Sequence, residues 1–109
     1  MFARLVTMKL MANSAEEFSR LIDEEILPLL RKQNGFRDEI TFIDRRGALA
    51  IGISLWDTEE DAAGYKAAGY PEVLKALAKV LKGKPKVETF EVANSTLHKL
   101  AAKAAAKRA

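Results

Sequence analysis

The chain has 109 residues, which is room for one domain and no second core. Half of the residues are hydrophobic and 30% are charged, an ordinary balance for a globular protein and a poor one for disorder. Cysteine is absent, which excludes disulfides, thiolate nucleophiles and cysteine-ligated metals and suits a reducing cytoplasm. No apolar run reaches membrane-spanning length, so no membrane insertion is expected, nor a leader peptide ahead of strand-like residues that begin at Phe2.

The net charge of +3 divides unevenly. Residues 94–109 carry Lys99, Lys103, Lys107 and Arg108 with no acid, and the other 93 residues carry 14 basic and 15 acidic groups. The body is therefore close to neutral and is not a nucleic-acid-binding surface.

In chain order, 2–10 reads as a strand with apolar residues on both faces, as expected of a strand covered on both sides. Ser14 with Glu17 predicts a capping box at the start of the first helix. Phe18, Leu21, Ile22, Ile26, Leu29 and Leu30 then recur at helical spacing, and Pro28 predicts a kink in the last turns. Asn34-Gly35 ends this helix, with Gly35 as a left-handed cap. Two β-rich runs, 36–44 and 48–56, flank Arg45-Arg46-Gly47 and predict a hairpin. In the second run Leu49, Ile51, Ile53 and Leu55 share one face. Ala48, Ala50, Gly52, Ser54 and Trp56 share the other, a face of small residues that leaves space for something else to fill.

Thr58 and Asp61 predict an N-cap to a second helix. The helix is interrupted at Gly69-Tyr70-Pro71 and resumes through Val73, Leu74, Leu77, Val80 and Leu81 to Gly83. A last strand follows at 85–93. The order is βαββαβ, an α+β ferredoxin-like domain over residues 1–96 with an antiparallel four-stranded sheet. Residues 97–109 form a basic, alanine- and lysine-rich tail in which a short helix starting at Ser95 would have little to bury. Both helices cross one face of the sheet, so apolar residues on the other face predict a homodimer that closes two sheets into a dimeric α/β barrel. A monomer with its C-terminal segment across that face is the alternative.

The Asn34-Gly35-Phe36 turn, the strand ending Leu55-Trp56 and the Thr58-Glu59-Glu60-Asp61 helix start resemble the antibiotic-biosynthesis-monooxygenase family of the dimeric α/β barrel proteins. So do Tyr65, Tyr70-Pro71 and the closing strand Val87 to Val92. The resemblance covers residues 1–96. It implies a cofactor-independent monooxygenase-like protein that acts on or binds a small aromatic or hydrophobic metabolite, with no cofactor and no metal. The family's haem-degrading branch pairs an aromatic residue with a histidine on the second helix and an asparagine on the first strand. Neither helix here has a histidine and Thr7 stands in the asparagine's place, so haem chemistry is not expected.

The candidate substrate-binding residues are Trp56, Tyr65, Tyr70, Arg37 and Phe42. Trp56 offers a stacking wall and an N–H donor, or simply seals the sheet against the second helix. Tyr65 and Tyr70 offer phenolic hydroxyls. Arg37, like Arg4, suits an anion, or else pairs with Asp38, Glu39 or Glu88 across the sheet. Phe36, Phe42 and Phe90 are most simply core or interface residues. His98, the only histidine, is expected to face solvent. No residue pattern names a nucleophile or an acid–base pair, which leaves a non-catalytic dimer that binds a ligand or a protein as the alternative function. The basic tail allows a third, weaker one, contact with an acidic partner.

Overall fold

A computed structural model describes residues 1–98. Four antiparallel strands, β1 (Phe2–Lys9), β2 (Phe36–Asp44), β3 (Leu49–Trp56) and β4 (Lys86–Glu91), pair in the order β2-β3-β1-β4. Helices α1 (Ala15–Leu21), α2 (Leu27–Arg31), α3 (Glu59–Ala68) and α4 (Tyr70–Leu77) supply the crossovers. They cover one face of the sheet and seal a core of Met8, Phe18, Leu21, Ile26, Leu30, Trp56, Tyr65 and Leu77. This is the α+β ferredoxin-like arrangement that the sequence predicts. Residues 99–109 of the basic tail lie outside the described residues.

Local chemistry accounts for the boundaries. Thr58 caps α3 as expected, its hydroxyl accepting the Asp61 N–H at 3.1 Å. Ser14 does not form the capping box. Its hydroxyl turns back to the Ala12 carbonyl, and Glu17 is drawn to Arg20 at 2.7 Å instead. A charge-assisted bond to guanidinium outcompetes a neutral one to a backbone N–H. The distortion expected of Pro28 lies one turn earlier. Residues Ile22–Ile26 form a π-turn in which the Leu27 N–H reaches the Ile22 carbonyl. Pro28 has no N–H for the Glu24 carbonyl and crowds it, and widening the preceding turn relieves that clash. Helix α4 ends at Leu77 rather than running on to Gly83, and Leu81 instead bridges Leu10.

Two details of the hairpin decide what each sheet face displays. Asp44 accepts the N–H groups of Arg46 and Gly47 at 3.1 and 3.2 Å, and the left-handed residue of the turn is Ala48 (φ 49°) rather than Gly47. Near the start of β2, Phe36 opposes Trp56 but Asp38 opposes Leu55. Arg37 is therefore an extra residue, a bulge, and it reverses the facing of everything after it. Glu39, Thr41 and Ile43 turn to the helices, while Asp38, Ile40 and Phe42 turn to the other face.

That other face is apolar and, among the described residues, largely uncovered. Phe42 and Phe90 are 52% and 51% exposed, beside Ile40, Leu5, Ile51, Ile53 and Leu55. After β4 the chain runs on beside the start of β1, where the Val92 N–H donates to the Met1 carbonyl. It then brings the half-buried ring of His98 to Asp38 on the opposite edge strand. His98 thus corrects the expectation of a solvent-facing residue: an acid within reach holds the segment down. Ser95 accepts the N–H groups of Leu97 and His98, both at 3.0 Å, as a helix cap would; the rest of that predicted helix lies outside the described residues. The segment crosses only one end of the sheet and leaves Ile40, Phe42 and Phe90 bare.

Candidate functional site

The small-residue face of β3 turns towards the helices, and the space it leaves is a cavity of about 50 Å³. Gly52 and Ser54 form its floor, and Ile22 and Ile26 of the π-turn, Leu30, Val73 and Leu77 form its apolar walls. Tyr70, Leu74 and Pro85 line it while only half-buried, as do Glu39 and Thr41, so the cavity is open to solvent.

Into this apolar space the sheet puts two ionisable groups. Arg4 on β1 and Glu39 on β2 both stand opposite Ser54 of the strand between them, on the helix side. Arg4 is 2% exposed, and among the described residues its Nη2 has no hydrogen-bond partner. Among the described residues it forms no ion pair. Its guanidinium carbon instead lies 4.4 Å from the ring centre of Tyr70 and 5.0 Å from that of Tyr65. Two aromatic faces offset part of the cost of burying the cation but leave Nη2 without a partner. Glu39 accepts the Thr41 hydroxyl at 2.5 Å. Burial pushes its carboxyl above the ordinary carboxylate range, the Thr41 hydroxyl pulls it down, and Asp23 adds to the rise.

The two tyrosines stay neutral. Burial pushes the Tyr65 phenol up to about 12 against the pull of Arg4, and moves Tyr70 in the same direction for the same reasons. Both hydroxyls therefore remain donors throughout the ordinary pH range.

The five residues proposed from sequence separate into three groups. Tyr65 and Tyr70 line the cavity. Trp56, 0% exposed, lies behind it, stacked on Tyr65 at 4.8 Å and edge-on to Phe36 at 5.6 Å. Its indole N–H is used by Ser54 Oγ at 2.9 Å, so it orients the tyrosine and the floor of the cavity. Arg37, the bulged residue, pairs with Asp57 on the exposed side of the sheet end, and Phe42 sits on the uncovered face. Neither lines the cavity. Glu39 is the lining residue that the sequence reading passed over, because strict alternation from Phe36 points it away from the helices. Arg4 had a signal, a lone arginine in an apolar strand.

No protein-family model and no curated protein matches the sequence. Solved structures do match. A protein of unknown function from Nitrosomonas europaea superposes with a TM-score of 0.74 at 15% identity, over 90% of this chain and 94% of that one. The monooxygenase from the gene ActVA-Orf6 of Streptomyces coelicolor, in complex with nanaomycin D, gives 0.73 at 18% identity over 90% and 92%. The chain has the fold of the antibiotic biosynthesis monooxygenases. SnoaB, a cofactor-independent oxygenase from Streptomyces nogalater, gives 0.71 at 14% identity over 89% and 97%. The monooxygenase fold thus extends over nearly the whole length of these chains as well as of this one. At such identities it is the fold that is shared; chemistry has to be argued from the cavity.

Proposed function

We propose that this protein is a cofactor-independent monooxygenase that binds a small aromatic metabolite where the helix-side cavity opens to solvent, the half-buried side chains there moving apart to admit the ring, and oxidises it with O₂. The observation that carries this reading is Arg4, a buried cation with an unsatisfied N–H in an otherwise apolar cavity. An aromatic oxyanion is the complement: its charge pairs with guanidinium and its ring suits the apolar walls. A desolvated oxyanion is a better electron donor than a hydrated one, so the cavity that binds it also favours electron transfer to oxygen. Tyr65 and Tyr70, held neutral, donate hydrogen bonds to it, and Trp56 holds Tyr65 in place.

For a phenol with a free para position the reaction is phenol plus O₂ giving para-quinone plus water. One oxygen atom enters the ring and the other leaves as water. The ring's four electrons reduce both, so the balance calls for no other reductant. The likeness to an oxygenase that works without a cofactor supports this reading at the level of fold. We further propose that the protein acts as a homodimer in the cytoplasm, two copies burying the uncovered sheet faces against each other.

The test is oxygen uptake with 1-naphthol, whose para position is free, followed by absorbance of the quinone. Equimolar uptake of O₂ and formation of 1,4-naphthoquinone is the expected result. Binding without uptake above the rate in buffer would contradict it. That outcome would favour the second reading, a non-catalytic dimeric module for a ligand or protein, which the bare apolar surface at Ile40, Phe42 and Phe90 supports.

A further inference from the structure

Glu39 has no part in the steps above, yet its position is as well defined as that of Arg4. The two side chains rise from strands on either side of β3, so their Cα atoms lie about 10 Å apart across the cavity floor. They make no ion pair with each other. The carboxyl leans over Gly52: a Cβ on that glycine would sit 3.5 Å from Glu39 Oε2. Thr41 holds that same oxygen. Both side chains line the one cavity, Arg4 from the β1 side and Glu39 from the β2 side. A ring whose oxygen is held by Arg4 therefore has its far side towards Glu39.

We infer that Glu39 is the acid–base group of the site, acting at the ring carbon para to the oxygen that Arg4 holds. The inference rests on the oxygenase reading and adds the proton transfers to it. The phenolate and O₂ combine to form a C–O bond at the para carbon, and the distal oxygen takes a proton from the protonated carboxyl. The resulting hydroperoxide still carries the para hydrogen. The Glu39 carboxylate removes that proton, the C–H electron pair becomes the π bond of the new carbonyl, and the O–O bond breaks. The departing hydroxide takes a proton as water, and the phenol proton released on binding restores the balance.

A carboxyl that must both give and take a proton works best when its affinity for protons is raised towards working pH. The groups facing it set that affinity. Thr41 on its own strand lowers it, and Asp23 on the π-turn raises it. Arg4 of β1, Tyr65 of α3 and Tyr70 of α4 stand around the same cavity. Burial raises both tyrosines, which leaves Glu39 as the carboxyl that lines the cavity.

The experiment compares turnover of 1-naphthol by the wild type, Glu39→Gln and Thr41→Val across pH 4–9, with 1-naphthol binding measured anaerobically. Glutamine is close in shape to the protonated carboxyl and keeps the cavity intact. Glu39→Gln is expected to bind within about twofold of the wild type and to lose roughly 100-fold or more in kcat, the usual contribution of a positioned acid–base group. Thr41→Val removes the bond that favours the charged form, so the acidic limb of its rate profile is expected at higher pH. Wild-type turnover with an unaffected Glu39→Gln would overturn the role of Glu39 and leave the oxygenase reading standing. So would an acidic limb that does not move in Thr41→Val. No turnover by the wild type would overturn both.

Discussion

The two faces of the sheet are built on opposite rules. The helix side is covered and mostly apolar, yet its cavity is lined by a guanidinium and a carboxyl that do not pair with each other. The other side is open, yet it presents Ile40, Phe42 and Phe90 to water. A chain optimised only for stability as a monomer would exchange these contents, since buried unpaired charge and exposed aromatic surface both cost free energy. The exchange marks two places where something outside the chain is expected, a polar ligand inside and a flat apolar partner outside. The difference teaches that a small domain can separate its tasks by sheet face, with chemistry under the helices and assembly on the bare strands.

The largest expected effect is on the helix side. Trp56→Ala removes a fully buried ring wedged between Phe36 and Tyr65 and is expected to cost about 3–5 kcal/mol of stability, read by urea unfolding. A loss well under 1 kcal/mol would mean that this face does not carry the core. Next comes the open side. Phe42→Glu is expected to convert dimer to monomer by native mass spectrometry while each monomer keeps its melting cooperativity, because Phe42 is half exposed and packs little within its own chain. A wild type that is already monomeric would break the comparison on that side.

A smaller effect follows from the raised proton affinity of Glu39. The folded state binds this proton more tightly than the unfolded state does, so the contribution of Glu39 to stability falls as pH rises from the ordinary carboxylate value through the raised one. Its cost is absent in acid and fully present above both values. Glu39→Gln is therefore expected to flatten the stability profile over that window and to be the more stable protein at pH 7, checked by melting temperature against pH. The smallest effect belongs to Arg37→Ala. Its pairing with Asp57 is about half exposed, so the loss is expected to be below about 1 kcal/mol, with ligand binding unchanged.

Much of this architecture was legible in the residues. Alternation in β3 separated the bulky face from the small one, and Thr58 and Gly69-Tyr70-Pro71 placed the helix boundaries, because each acts through local backbone chemistry. Gly35 is left-handed as expected but lies in the turn before β2, the helix having already ended at Arg31 with Lys32 as its cap. What escaped was set at a distance. One bulged residue, Arg37, flips the facing of β2, so Phe42 leaves the cavity side and Glu39 enters it; period-two reading cannot detect an inserted residue. Ser14 satisfied every local rule for a capping box and was overruled by the competition of Arg20 for Glu17. The pairing of His98 with Asp38, 60 positions apart in the chain, left no sequence signal at all.

The central claim is that Arg4 is held for a ligand and not for the fold, and one comparison tests it most directly. Arg4→Met keeps much of the volume and removes the charge. Exchange of a buried charge for a hydrophobic side chain is often neutral or stabilising. The account predicts a melting temperature equal to or above that of the wild type, together with 1-naphthol binding about 10-fold or more weaker, the loss expected for a hydrogen bond to a charged group. A lower melting temperature with undiminished binding would contradict it and make Arg4 part of the core.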